Sequence, residues 1–138
     1  MPLFEQVLDK YPDSVRIVFK HFPLSFHNQA MPAALAAVAA GEQGKFWEYH
    51  DELFINQSSL SAEKYLEIAQ ELGLDIKKFS LDMMRPSLRQ KIEQDVADGK
   101  KAGVTGTPAI FVNGRTLKKR DLAAISKLID EELAASRK

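Results

Sequence analysis

Residues 103 to 114 read GVTGTPAIFVNG, and both flanks of the short apolar run at Ala109 to Val112 are devices for controlling the backbone. Thr107-Pro108 restricts the residue before the proline to extended conformations and removes one main-chain donor. Asn113-Gly114 supplies the two positive-φ positions that a tight hairpin turn requires. Other residue types that carry chemistry are scarce. The chain has no cysteine, so it can form no disulfide, thiol nucleophile or thiolate metal site from its own residues.

The three histidines are His21, His27 and His50. His21 and His27 lie on either side of Pro23, a spacing that suits no common helical ligand pair. His50 follows Phe46 on an apolar helical stripe, so packing with one satisfied nitrogen is the expectation. Glu48, Asp51 and Glu52 flank it on the expected solvent face, and no paired-carboxylate site is expected there. No metal and no cofactor are expected. Lys118-Lys119-Arg120, with Arg115 nearby, read as a solvated hairpin edge and helix start. Met31, Met83 and Met84 read as core or groove-lining residues.

At 138 residues the chain has the length of about one domain, read as a single domain over 1–138. Its 19 basic and 19 acidic residues cancel, which argues against the basic excess of a nucleic-acid footprint. No apolar run approaches the ~18 residues of a membrane span. The start, MPLFEQVLDK, lacks the basic-then-apolar layout of a signal peptide, and the compartment stays open.

The elements that must position these residues follow from periodicity. Leu3, Phe4, Val7 and Leu8 have helical spacing, ending near Tyr11-Pro12. Residues 15–22 alternate and are rich in β-branched and aromatic types, which predicts a strand. An alanine-rich helix is expected from Ala30 to Ala40 with Gly41 as its C-cap. Phe46, Trp47, His50, Leu53 and Phe54 form a wide apolar stripe, with Trp47 as a buried anchor. Ser61 caps the next helix, Leu60 and Tyr65 make a hydrophobic staple, and Gly73 closes it. A short helix follows over Ile76 to Met83, and Ser87 with Gln90 make a capping-box pattern for another. A hairpin (109–112 and 115–117) and an amphipathic helix marked by Leu122, Ile125, Leu128, Ile129 and Leu133 end the chain. Helices interrupting strands make an α/β pattern.

Taken together, "VRIVFKHFPLSFH", "AALAAVAAGEQGKFWEYHDELF", "LGLD" and "GVTGTPAIFVNGR" resemble, in order, the DsbA-like branch of the thioredoxin fold, the thiol-disulfide oxidoreductases and protein-disulfide isomerases with a helical insertion. The resemblance covers essentially residues 1 to 138 and places the insertion at about 30–100. It implies a cis Thr107-Pro108 bond. It also implies a substrate platform at Thr105, Gly106, Thr107 and Pro108 that holds an extended polypeptide by backbone hydrogen bonds. Family members are typically extracytoplasmic. They place a strand and a Cys-x-x-Cys motif before the part of the first helix that "PLFEQVLDKYP" matches, and both are missing here. The resemblance therefore implies an N-terminally truncated, redox-inactive chain with no catalytic residue of its own.

Two other functions share the fold. One is a redox-inactive module that binds extended peptides. The other is a cysteine-free enzyme similar to the kappa-class glutathione transferases or hydroxychromene-carboxylate isomerases. Loss of a central strand would leave open edges, so a homodimer or a swapped assembly is expected.

Overall fold

Alanine has the highest helix propensity and a side chain small enough to let neighbouring elements approach closely. The computed structural model describes residues 2–23 and 29–136, and the chain divides into two compact units. One comprises residues 20–103, the other residues 1–19 with 104–138.

At the centre of the 20–103 unit lies α2 (Ala30–Gly41), with Leu35, Ala36, Ala37, Ala39 and Ala40 buried. Around it pack α3 (Phe46–Ile55), α4 (Ala62–Glu71), α5 (Ile76–Met83) and α6 (Pro86–Lys101). Gly41 is the last helical residue of α2, and the C-cap is Glu42, one residue beyond the expected one. Its closing bond runs from the Lys45 N–H to the Ala40 carbonyl (3.0 Å), with Gly44 at φ 75 taking the left-handed position. Gly41 serves packing instead, since a Cβ there would sit 3.3 Å from the Phe46 Cβ. Ser61 caps α4 by accepting from the Lys64 N–H at 3.1 Å. Leu60 and Tyr65 both join the core, and Gly73 (φ 73) ends that helix. Asp75 caps α5, and the Gln43 side chain brackets its main chain at 2.9 and 3.1 Å.

Helix α6 begins at Pro86, so Ser87 lies inside the first turn and the expected capping box does not form. Proline pre-sets the dihedral of the first helical residue and fixes the start two positions earlier, with Arg85 in the N-cap position.

The buried face of α3 also differs from the expected stripe. Trp47 is 43% exposed and Phe54 57%, whereas Tyr49 and His50 are buried and Phe46 and Leu53 pack on the core. Positions 46, 49, 50 and 53 follow i, i+3, i+4, i+7, and only the tyrosine hydroxyl disguised this face. That hydroxyl donates to the Tyr65 carbonyl at 2.9 Å, so the ring can pack against Phe79 (centroids 5.6 Å apart) without an orphaned polar group. Met83 packs on this core, but Met84 is 82% exposed and belongs to neither core nor groove.

In the other unit, α1 (Pro2–Lys10) and α7 (Leu122–Ser136) enclose Val7, Tyr11, Leu117, Ile125 and Ile129. The Tyr11 hydroxyl donates to Asp130 Oδ1 at 2.6 Å. Asp121 caps α7 by accepting from the Ala124 N–H at 2.7 Å, and that bond holds its carboxyl below the ordinary range. Strands β1 (Phe111–Val112) and β2 (Arg115–Thr116) form an antiparallel hairpin, with Phe111 opposite Thr116 and Val112 opposite Arg115. Asn113 (φ 48) and Gly114 (φ 82) make its turn. One further bond, from the Leu117 N–H to the Ile110 carbonyl (2.9 Å), extends the pairing before it frays.

The strand expected over 15–22 is absent. Burial alternates from Val15 to Lys20 as in a strand, but the sheet among the described residues contains β1 and β2 alone. Side-chain alternation is a property of one chain, whereas a ladder needs a neighbour.

Tyr49→Ala should cost about 3–5 kcal/mol of stability in urea unfolding. Trp47→Ala should cost less than about 1 kcal/mol, as expected for an exposed site. Equal losses at the two positions would refute the 46/49/50/53 face.

Candidate functional site

Between α6 and β1, residues 104–110 belong to no regular element, and Thr105, Gly106, Thr107, Pro108 and Ala109 are all exposed. The Thr107–Pro108 peptide bond is cis. What positions this loop is the hairpin that follows. Ile110 and Val112 turn into the Val7–Ile129 core, and the Leu117 N–H holds the Ile110 carbonyl. A Cβ on Gly106 would meet nothing within 4 Å, so the main chain there faces open space. Exposed main chain outside regular structure is free to pair with an extended segment, and Pro108 contributes no donor. The structure thus places the four residues Thr105 to Pro108 together in one exposed loop.

The histidines do something different. His27 lies outside the described residues. His50 sits among aromatic rings, with centroids 5.9 Å from Phe46, 5.5 Å from Trp47 and 4.9 Å from Phe54. Burial lowers its pKa below the usual imidazole value, although Asp51, 3.5 Å away, pulls the other way. His21 meets the Phe46 ring edge-on at 5.8 Å. Burial brings its pKa down to about 4 against the pull of Asp95, with Lys91 and His50 adding to the lowering. Both imidazoles are therefore neutral near pH 7. Among the described residues no group of three His, Asp or Glu side chains is placed to hold a metal.

Two buried carboxylates escaped the sequence reading. Asp95 on α6 accepts from the His21 main-chain N–H (3.0 Å) and from Lys91 Nζ (2.8 Å), with Lys20 Nζ at 3.8 Å. Burial alone would raise its pKa, but those two bonds hold the carboxyl below its ordinary value. Asp82 on α5 is held by Lys78 Nζ at 2.7 Å and by Arg85. The signal for Asp95 was present: it follows Leu88 and Ile92 at the next buried step of the helix, with a lysine one turn before. A shallow depression of about 380 Å³ beside Asp82 is lined by Lys77, Lys78, Arg85 and Asp75, whose charges balance with those around them. Lys118, Lys119 and Arg120 are exposed as expected, and Lys119 lies 3.5 Å from Asp121.

His21 makes stability depend on acid. Unfolded, it takes up a proton near 6.5; folded, only near 4. The unfolded state therefore gains protons first as pH falls, so the contribution of His21 is complete above 6.5 and is lost progressively towards 4. The loss should reach up to about 3 kcal/mol. His21→Gln should flatten the dependence of the urea midpoint across that window, and an unchanged slope would show that His21 is not its source.

Comparison with known proteins agrees with this architecture. The Thioredoxin family model matches residues 2–131. A thioredoxin-like oxidoreductase from Silicibacter pomeroyi DSS-3 superposes with a TM-score of 0.82 at 28% identity, over 97% of this chain and 77% of that one. The thiol-disulfide exchange protein DsbA2 of Wolbachia pipientis gives 0.78 at 22% identity, over 94% of this chain and 71% of that one. The oxidoreductase DsbA of Xylella fastidiosa gives 0.73 at 18%, over 99% and 78%. Curated relatives include a Na(+)/H(+) antiporter NhaA of Herminiimonas arsenicoxydans, 37% identical over 108 residues, which are 78% of this chain and 17% of that protein. NhaA 3 of Salinispora tropica is 42% identical over 115 residues, 83% of this chain and 18% of that protein. The chain thus spans less than a fifth of these curated relatives. No helix among the described residues is long and apolar enough to cross a membrane. With a helical unit, a hairpin-bearing unit and a family match running from α1 into α7, the chain belongs to the thioredoxin family.

Proposed function

We propose that these 138 residues are the polypeptide-holding part of a DsbA-family thiol-disulfide oxidoreductase or protein-disulfide isomerase-like protein, and that by themselves they bind without exchanging thiols. The observation that carries this reading is the exposed main chain from Thr105 to Pro108, anchored at one end by the hairpin. An extended peptide laid beside it gains backbone hydrogen bonds that do not depend on sequence. Thiol exchange needs a thiolate as the attacking group, and no cysteine is present to supply one. Binding and redox chemistry are therefore separable in this chain.

A fluorescent, cysteine-free, unfolded peptide tests the binding half. Gly106→Leu should weaken it by about fivefold or more, a loss of roughly 1 kcal/mol. The fold should survive this change, because the new side chain enters open space. Unchanged affinity would move the binding surface away from the loop. For the redox half, insulin reduction by the purified chain should stay at the rate of dithiol alone. Turnover above that rate, free of contaminating oxidoreductase, would require a nucleophile other than cysteine.

A further inference from the structure

The turn between β1 and β2 consists of Asn113 at φ 48 and Gly114 at φ 82, and both residues are exposed. An asparagine side chain carries an amide carbon within reach of the next residue's main-chain nitrogen, and ring closure between them is hindered chiefly by the next side chain. Gly114 has none, and even a Cβ there would meet nothing within 4 Å. Neither the Asn113 amide nor the Gly114 N–H is held by a hydrogen bond among the described residues. Asn56 makes the contrast. Its side-chain amide donates to the Glu52 carbonyl at 2.8 Å, and glutamine follows it in the chain. What keeps Asn113 from the reactive geometry is the turn itself, since ring closure requires it to leave the left-handed region. The hairpin imposing that turn has two residue pairs, with the Leu117–Ile110 bond beyond them. So small a ladder opens at far lower cost than a packed helical core.

We propose that Asn113 is a self-modification site, at which the Gly114 nitrogen displaces the side-chain amide and isoaspartate comes to replace asparagine in the turn. Solvent hydroxide takes the Gly114 N–H proton, the nitrogen bonds to Asn113 Cγ, and the Cγ–Nδ2 bond breaks as ammonia leaves. Water then opens the cyclic imide. Where it breaks the bond between the Asn113 carbonyl carbon and the Gly114 nitrogen, the main chain afterwards runs through Cβ and Cγ. That chain is one methylene longer, and the former carbonyl is a free carboxylate. The other opening gives aspartate on an ordinary main chain. In either case water is consumed and ammonia released, with no change of oxidation state. A tight turn fixes hairpin register, and a longer main chain cannot keep Val112 opposite Arg115 and Phe111 opposite Thr116. The pair that sets the register is thus also the pair able to undo it. Loss of pairing loosens the hold that keeps Ile110 and Val112 on the Val7–Ile129 core. The site stands whether or not the Thr105–Pro108 loop binds a peptide.

Incubation of the purified chain at mildly alkaline pH, followed by peptide mapping and enzymatic methyl-labelling of isoaspartate, reads the chemistry. Isoaspartate should accumulate at Asn113 and stay undetectable at Asn56, and it should form more slowly than in a free peptide spanning 109–117. Asn113→Gly keeps a turn-forming pair and removes the amide, so labelling of that variant should stay at background. In the converted chain, amide hydrogen exchange at Leu117 should speed up by about tenfold or more while α2–α6 stay unchanged. Absence of product at Asn113 while the free peptide is converted, or an equal yield at Asn56, would overturn the proposal. Aspartate as the sole product would overturn it as well. So would isoaspartate with exchange at Leu117 unaltered, because the hairpin would then tolerate the longer turn.

Discussion

A backbone N–H or C=O that leaves water must find another partner, and the two units meet this requirement differently. In the 20–103 unit each helix satisfies its own main chain. What remains is to close the helix ends, which Gly44, Gly73, Ser61 and Asp75 do. Once its ends are closed, a helix as small-sided as α2 can be surrounded by four others without leaving polar groups stranded. The hairpin-bearing unit cannot work this way. Its strand-type residues satisfy their side chains on the Val7–Ile129 core, whereas their main chain depends on a neighbour.

Buried charge obeys the same requirement at a higher cost. Asp95 is buried, yet two donors converge on it, the main chain of His21 and Lys91, with the Lys20 ammonium 3.8 Å away. Removing either partner would leave an uncompensated charge, so this group fixes where the chain enters the helical unit. Asp82, with Lys78 and Arg85, does the same at the junction of α5 and α6. Such groups resemble catalytic carboxylates in their burial. They differ in that cationic or main-chain donors from this chain already sit on both of their oxygens.

Most of the helices were legible because each carried both a period and an end signal. Ser61 with Gly73, and Ile76 to Met83, are examples. The sequence misled where one residue type hides its behaviour. Tyr49 counts as polar until its hydroxyl finds the Tyr65 carbonyl, and Trp47 counts as core until its neighbours turn out to occupy the inner face. Gly41 looked like a stop because glycine commonly ends helices, but here its missing side chain makes room for Phe46. The segment 15–22 shows the deepest limit. Its composition specifies an alternating chain, and no property of that chain alone specifies what lies beside it. The loop at Thr105–Pro108 was legible only through the ordered set of motifs around it, since a Thr-Pro step by itself is commonplace.

The antiporter relatives sharpen what the shared sequence can mean. Crossing a bilayer takes about 20 consecutive, largely apolar residues per helix. Helix α6, the longest among the described residues at 16, carries charged side chains along its length, among them Lys91, Glu93, Asp95 and Lys100. The similarity to those proteins covers 17 to 18% of them. What this chain has in common with them is therefore the thioredoxin-type module, while ion transport requires helices of a kind the described residues do not contain. The hairpin turn at Asn113-Gly114 and the glycine and serine signals at the helix ends fix that module's local structure in these 138 residues.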